Sequence, residues 1–505
     1  MERIKADDLY AYRFLSEVAV APDGAHAAFV SRRARDDGKG YYAYIHLLDT
    51  TTGAVRPLTG NGDEAAFRWL DSNTLIFPSC RTGDQPGKTA FYRLDIRGSE
   101  AERAFTIPLS VKQFHPLPDG RWFVLTRRPM TPPEDLPADQ PQPGRDYTVF
   151  DELPFWADGL GMINGTRMSG WIFDPADGSV NPPTYDMEGA AVSPEGSRIL
   201  YWGVSFEGIR PDYRQLMLYD LATGQTRSLV PDGKYRITQV GWWGTDIWFE
   251  GGDPHISVSR SPKLYLLNPA TGDCRTFCAP DGFLGTSAIG DMSLGGGKVC
   301  AVQGDSLYAV RLQRDVTALL RFDKAGNFAP VASYEGIACF DIIGENAYLA
   351  AFRDHRPQEL YRQPLSGGEP ERLTQFHDAF LETRQISRPE HITFRSRDGQ
   401  EVDGWVIRPS GYEPGKKYPG VLNIHGGPKA AYGSQYYHEM QLLAAGGRTA
   451  DIVNQRKVPV RRQGSTAIQT AAQHPQQIFQ RFSVQGERAF PGTSLAVTYR
   501  HVAGI

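Results

Sequence analysis

The sequence predicts a mainly β protein: a β-propeller of roughly seven blades over residues 1–385, then the beginning of a second, α/β domain. Three observations carry this. Two short hairpin phrases recur along the first 380 residues, helical periodicity is sparse there, and the repeat stops around residues 387–391.

The first phrase is a strand, a Pro-Asp-Gly type turn and a second strand. It runs from Val18 through Pro22-Asp23-Gly24 to Val30, from Ala191 through Pro194-Glu195-Gly196 to Trp202, and more loosely through Pro118-Asp119-Gly120 to Leu125. The second phrase runs from Ile45 through Asp49 and Gly53 to Leu58, from Leu216 through Asp220 and Gly224 to Leu229, and from Leu264 through Asn268 and Gly272 to Phe277. A looser copy joins Leu360 to Leu373 through Gly367-Gly368. Asp or Asn opens each turn and Gly supplies its left-handed residue. Two hairpins per unit, at a spacing of roughly 40–50 residues, is the period of a propeller blade, and residues 18–380 would hold about seven. The WD signature is missing. Two β-sandwiches are the alternative, but they require no recurring phrase.

One blade is interrupted. Residues 129–144 (PMTPPEDLPADQPQPG) are rich in proline and acid and read as an exposed loop. Residues 151–161 (DELPFWADGLG) follow, dense in aromatics and turns. Phe155 and Trp156 could line a ligand channel; aromatic core between blades is the plainer expectation.

Bulk properties exclude several classes. Lys plus Arg number 54 against 58 Asp plus Glu, a net charge of −4 over 505 residues. Nothing there calls for nucleic acid or an anionic membrane. No apolar run approaches the ~20 residues of a membrane helix, and the charged start carries no apolar signal core. The cysteines (Cys80, Cys274, Cys278, Cys300, Cys339) are scattered, and no second Cys or His pair follows Cys274 and Cys278 at zinc-site spacing. Reduced thiols in a cytoplasmic protein are expected.

The second domain opens with an alternating hairpin from Ile392 to Ile407 across an Asp398-Gly399 turn. A polar stretch leads to residues 418–432 (YPGVLNIHGGPKAAY), where Val421 to Ile424 reads as a buried strand ending at His425-Gly426-Gly427-Pro428. Two glycines let backbone approach a bound carbonyl, and Pro428 restricts Gly427 and so helps aim its amide. An aimed N–H at a strand end suits an oxyanion hole, and α/β-hydrolases carry an HGGG-type motif in the loop after their third strand. A plain Gly-Pro turn is the alternative. Residues 438–445 (HEMQLLAA) read as a helix.

With these residues in view, the chain from about Asp7 to Ala445 resembles the prolyl oligopeptidase family of serine peptidases, most of all its acylaminoacyl-peptidase branch. The hairpins, the Glu152-to-Gly161 stretch, and the run from Phe394 to Pro409 followed by Tyr418 to Pro428 carry the resemblance. It implies an α/β-hydrolase domain capped by a propeller that limits substrates to short peptides. It implies hydrolysis of short or N-acylated peptides through an acyl-enzyme, with no cofactor and no nucleic-acid or membrane partner. It assigns the oxyanion donor to Gly427, supported by Gly426 and Pro428, and gives His425 a structural role rather than that of the base.

The pattern then breaks. A nucleophile elbow, Gly-x-Ser-x-Gly, followed by Asp and His, is required. No Gly-x-Ser-x-Gly occurs; Gly492-Thr493-Ser494-Leu495-Ala496 lacks the last glycine, and His501 follows with no acid between. Ser434 and Ser465 lie in no such context. From Gly447 to Ile505 only Asp451 and Glu487 are acidic, while Arg and Gln abound. The expectation is therefore an incomplete α/β-hydrolase domain over residues 386–446, then an aberrant, poorly ordered tail over 447–505. A frameshift near Gly446 would explain it; a genuine basic tail is the alternative. Nucleophile, base and acid are not identifiable, so the chain is expected to be inactive. A propeller acting as a peptide- or protein-binding module is the rival reading. Strands 402–407 and 421–424 are expected to be left with unpaired edges. Other motifs fail: Leu442 stands where a helical zinc motif beginning at His438-Glu439 needs its second His, Gly295 to Lys298 lacks the rest of a phosphate loop, and the acidic turns are too short for calcium.

Overall fold

Seven four-stranded antiparallel sheets follow one another along the chain, at residues 14–57, 68–107, 111–181, 189–228, 236–278, 300–334 and 336–372. They come from a computed structural model that describes residues 1–81, 83–98, 100–130, 149–157, 160–181, 186–256, 260–286, 288–396, 399, 401–425 and 430–453, with the backbone of strand Leu495–Tyr499. Each sheet is a meander in sequence order. The Pro-Asp-Gly phrases join first and second strands, as between Phe14–Val20 and His26–Ala34. The Asp/Asn…Gly phrases join third and fourth, as between Tyr41–Asp49 and Val55–Pro57. Their chemistry repeats. Asp49 Oδ1 accepts from the N–H groups of Thr51 and Thr52. Asp220 does the same for Ala222 and Thr223, and Asn268 for Ala270 and Thr271. Gly53, Gly224 and Gly272 then take positive φ, which glycine adopts without a Cβ clash.

Apolar clusters join each sheet to the next: Val30 and Ile45 with Phe77 and Tyr92, Phe91 with Phe114 and Trp122, Phe123 with Ile199 and Tyr201. Leu218 meets Phe249, Leu264 meets Leu307, and Val310 meets Leu349 in the same way. The last cluster packs Tyr348 and Leu360 of the seventh sheet on Leu15 and Phe29 of the first, closing a ring. Sheets stacked on both faces explain why second strands such as His26–Ala34 read as apolar runs rather than alternations. Because every sheet runs in the same order, the connections from second to third strands, and the entries into first strands, emerge at one end of the ring. There the strand Glu2–Arg3 pairs in parallel with Arg384–Gln385, and Arg384 grips Asp8 at 2.8 Å.

The second domain holds a mixed sheet in the order Pro389–Arg395, Glu401–Ile407, Thr449–Val453, Gly420–Ile424, Leu495–Tyr499. Glu401–Ile407 is antiparallel to both its neighbours; Gly420–Ile424 is parallel to both of its own. Two expectations are corrected. The tail from residue 447 is not wholly aberrant: it supplies strands Thr449–Val453 and Leu495–Tyr499. Strands 402–407 and 421–424 are accordingly not left with open edges, since Thr449–Val453 inserts between them. Ala450 and Ile452 supply the apolar side chains that this position buries, packing with Trp405, Tyr432 and Met440. The helix stands as expected at His438–Ala445. Most of the loop at 129–144 lies outside the described residues. Trp156, expected in the core, is 52% exposed.

Candidate active site

Gly420–Ile424 is buried between two strands, and its carboxyl end leads into His425. His425 is buried, with its ring edge-on to Tyr432 at 5.2 Å. Tyr432 Oη donates to Asn423 Oδ1 at 2.8 Å, a buried hydrogen bond nine residues apart in sequence. Strand end and returning chain are thus held together on either side of Gly426, Gly427 and Pro428. Those three residues, and with them the expected oxyanion donor, lie outside the described residues.

The returning chain is fixed to the ring. Ala431 O accepts from Ile289 N–H at 2.9 Å, and Gln435 Nε2 donates to Ile289 O at 2.8 Å. A Cβ on Gly290 or Gly336 would lie 2.1 or 2.6 Å from the Gln435 amide, which would have to shift from this position. Asp291 then accepts from His438 N–H at 2.9 Å and Glu439 N–H at 2.8 Å. It caps the helix from outside, since Tyr437 makes no side-chain cap. Burial pushes the Asp291 carboxyl up to about 6, although both amides favour its charged form.

Further ties surround this one. Tyr12 Oη lies 2.8 Å from Tyr436 Oη and 2.9 Å from His438 Nδ1. His355 Nδ1–H donates to Ser434 O at 2.9 Å, leaving Nε2 to accept from Gln441 Nε2 at 3.1 Å. Burial holds that imidazole below its usual value, consistent with a neutral ring. Arg314 reaches from the sixth sheet to Asp403 and Glu401, both at 2.7 Å, and Asp403 also meets His391 at 2.9 Å. Burial pushes Asp403 upward, but Arg314 and His391 outweigh it and the net shift is downward. Sequence reasoning missed Asp291, Tyr12, His355 and Arg314. Each acts on a partner more than 75 residues away, and no local motif marks such a residue.

The structure assembles no triad among the described residues. Ser31 Oγ does meet His46 Nε2 at 2.8 Å, but His46 Nδ1 is buried without a partner. Burial, and Arg13 nearby, push that imidazole down to about 4, too low for a base at neutral pH. Ser434 serves through its carbonyl, while Ser465, Ser494 and His501 lie outside the described residues. His438 is engaged by Tyr12, and Lys298 by Asp341 at 2.7 Å. No cluster that could hold a metal occurs among the described residues.

A ring of antiparallel sheets carrying this mixed sheet at one end is the fold of acylaminoacyl peptidases. The Pyrococcus horikoshii acylaminoacyl peptidase superposes with a TM-score of 0.73 at 18% identity, over 99% of this chain and 75% of that one. An acylaminoacyl peptidase in complex with Z-Gly-Gly-Phe-chloromethyl ketone gives the same TM-score, over 98% and 75%. In sequence, the chain is 28% identical over 476 residues to the uncharacterized peptidase YuxL of Bacillus subtilis, covering 90% of this chain and 71% of the relative. No family model matches. Relatives and structural neighbours are thus peptidases of the prolyl oligopeptidase and acylaminoacyl-peptidase kind.

Proposed function

We propose that this chain is built on the plan of a serine peptidase for short or N-acylated peptides. The seven sheets are its propeller blades and the mixed sheet is the opening half of its α/β-hydrolase domain. One observation carries the reading: the His425 strand end, where such sheets bind ligands, is fixed against the ring end by Ile289 and Asp291. In the plan, a Ser attacks the carbonyl, a His moves the proton, an Asp orients the His, and the Gly427 N–H, placed by Gly426 and Pro428, holds the oxyanion. No cofactor takes part, the partners are peptides, and the five free thiols suit the cytoplasm.

The 505 residues carry the cradle without the attacking group. Removing a nucleophile or base costs about a millionfold in turnover in a comparable protease, so this chain is inactive in this reading. A reading-frame change near Gly446 accounts for the loss. Asp451 supports it: its carboxylate is buried beside Leu422 and Val406 in strand register, and Oδ1 has no hydrogen-bond partner among the described residues. A sequence selected for this position would bury an apolar side chain.

The test is reaction with a fluorophosphonate probe alongside turnover of acyl-amino-acid p-nitroanilides. Neither labelling nor turnover is expected; a labelled, competent serine overturns the inactive reading. If neither alternative frame of the coding DNA past codon 446 yields Gly-x-Ser-x-Gly, then Asp and His, the frameshift is wrong. The closing contact of Leu15 and Phe29 with Tyr348 favours a second reading, a ring that stands alone and binds peptides without cleaving them. A protease-resistant core ending near residue 385 that retains peptide binding would establish it.

A further inference from the structure

The chain crosses from the ring to the second domain at Ser387, between the strands Arg384–Gln385 and Pro389–Arg395. Both of its backbone groups are taken by one side chain. Gln441 Oε1 accepts from Ser387 N–H at 2.9 Å, and Gln441 Nε2 donates to Ser387 O at 2.8 Å. Reversing the amide would set NH2 against N–H and oxygen against oxygen, so its orientation is fixed. The second hydrogen on Nε2 is then left for its other neighbour, His355 Nε2 at 3.1 Å.

His355 is placed to receive it. Asp354 and His355 both take left-handed φ, 59° and 55°, in the connection between Asn346–Phe352 and Glu359–Pro364. Few L residues adopt this conformation, so the ring is held here against backbone strain. Its Nδ1–H is committed to Ser434 O at 2.9 Å on the returning chain. Nε2 therefore presents a lone pair, and only the neutral imidazole completes the arrangement. His355 is 5% exposed and Gln441 1%, so water does not readily replace a bond lost between them.

The charges around this imidazole are mixed. From between the sixth and seventh sheets, Glu335 takes the His355 N–H with both carboxylate oxygens, at 2.9 and 3.1 Å. From the crossing chain, Arg388 bears on the ring, and on the returning chain the Tyr436 ring lies 5.6 Å away. The helix keeps its titratable His438 and Glu439 at its first turn, over Asp291. Beside His355 in sequence, Arg353 lies 2.5 Å from Glu369 and 3.9 Å from Asp354, and Arg356 pairs with Asp378 at 2.6 Å. Burial lowers the imidazole and Arg388 adds to this; the Ser434 and Ser387 carbonyls pull the other way, and the net shift is downward. The docked ring thus binds fewer protons than a free imidazole. Its contribution to docking is complete above about 6.5 and is lost as pH falls through the docked value.

We propose that Ser387, Gln441 and His355 form a proton-released latch between the ring and the second domain. A proton taken from solvent onto His355 Nε2 turns the acceptor that Gln441 needs into a donor. Two N–H groups then face each other, the Gln441 amide is displaced, and Ser387 loses both of its partners. The crossing chain and the helix His438–Ala445 are freed together, and with them the strand end at His425 that the same domain carries. The latch operates whether or not the chain cleaves peptides, since none of its three residues belongs to the cleavage plan.

Amide exchange of Ser387 and of the 438–445 helix in the full chain tests it at pH 7.5 and 5.5, corrected for the intrinsic effect of pH and referred to the ring strands. Asp291 and Glu335 titrate with the opposite sign, so the parent is read against H355Q. The loss of protection on going to pH 5.5 is expected to be several-fold greater in the parent than in H355Q, up to about tenfold. Equal losses overturn the proposal. Q441E offers carboxylate oxygens to Ser387 N–H and to a protonated His355, and is expected to reverse the trend, with protection higher at pH 5.5. A Q441E profile like the parent's overturns the proposal too. The unsubstituted chain supplies a check that needs no variant to fold. Its imidazole 15N shifts are expected to show His355 neutral and protonated on Nδ1 at pH 7.5, with loss of Ser387 protection following the titration. A ring charged at pH 7.5, an Nε2–H tautomer, or Ser387 protection that ignores the titration overturns the latch.

Discussion

Asp291 accepts the backbone N–H of His438 at 2.9 Å, so a helix of the mixed-sheet domain begins on a side chain of the ring. The two are 147 residues apart in sequence, and the helix has no cap of its own. Docking of the domain and order of the helix are therefore one event.

Replacing that cap should loosen both. D291A is expected to cost about 1–2 kcal/mol in docking, as for a lost N-cap, while D291N keeps an acceptor and costs less. Hydrogen exchange of the 438–445 amides against those of the ring strands measures this. Equal protection of the two regions in D291A and the parent would refute it.

Asp291 also gives the docking a pH dependence of defined sign. Its carboxyl titrates near 6 when docked and at 3.8 in an unstructured chain. The docked state therefore holds more protons between these values, and stability falls as pH rises from about 4 to 6. D291N is expected to flatten that slope; an unchanged slope would place its origin elsewhere.

Asp451 extends the same argument. Burial pushes its carboxyl up to about 7, so its contribution is present below about 4 and is lost as pH rises through 7. D451V should stabilise the mixed sheet at pH 8 by roughly 2–4 kcal/mol and have little effect at pH 4. Amide exchange of Gly420–Ile424 at the two pH values reads this out, and destabilisation at pH 8 would contradict it.

Y432F removes the donor to Asn423 and leaves a buried amide oxygen without that partner. The expected cost is about 1–3 kcal/mol, confined to the mixed sheet. Ring strands should keep their exchange protection while Gly420–Ile424 loses it.

E152A removes the closest anion from the Arg167 guanidinium, which is 5% exposed and keeps Asp186 at 4.0 Å and the Phe206 carbonyl. About 1–3 kcal/mol should be lost locally, and chymotrypsin should cut residues 149–165, between the second and third strands of the third sheet, first. E152Q, which keeps an acceptor, should resist longer. Cleavage elsewhere before this stretch would show that another contact holds it.

Local chemistry made much of the fold legible. Asp49, Asp220 and Asn268 each carry the acceptor that folds their own turn, so their hairpins could be read one at a time and their recurrence could be counted. The strand ending at His425 and the helix starting at His438 were legible for the same reason. Composition misled at Thr449–Val453: an arginine-rich, glutamine-rich tail hides five residues whose Ala450 and Ile452 suffice for a slot already lined by Trp405 and Tyr432.

By itself, then, the sequence determined the mainly β character of the chain and several individual hairpins, because a turn or strand depends on residues a few positions apart. Only tertiary structure decided that the seventh sheet closes on the first, that Asp291 starts a distant helix, and that Trp156 faces water rather than core. Those outcomes depend on which surfaces meet once the chain is compact, and burial and distant pairing leave no spacing in the sequence to read.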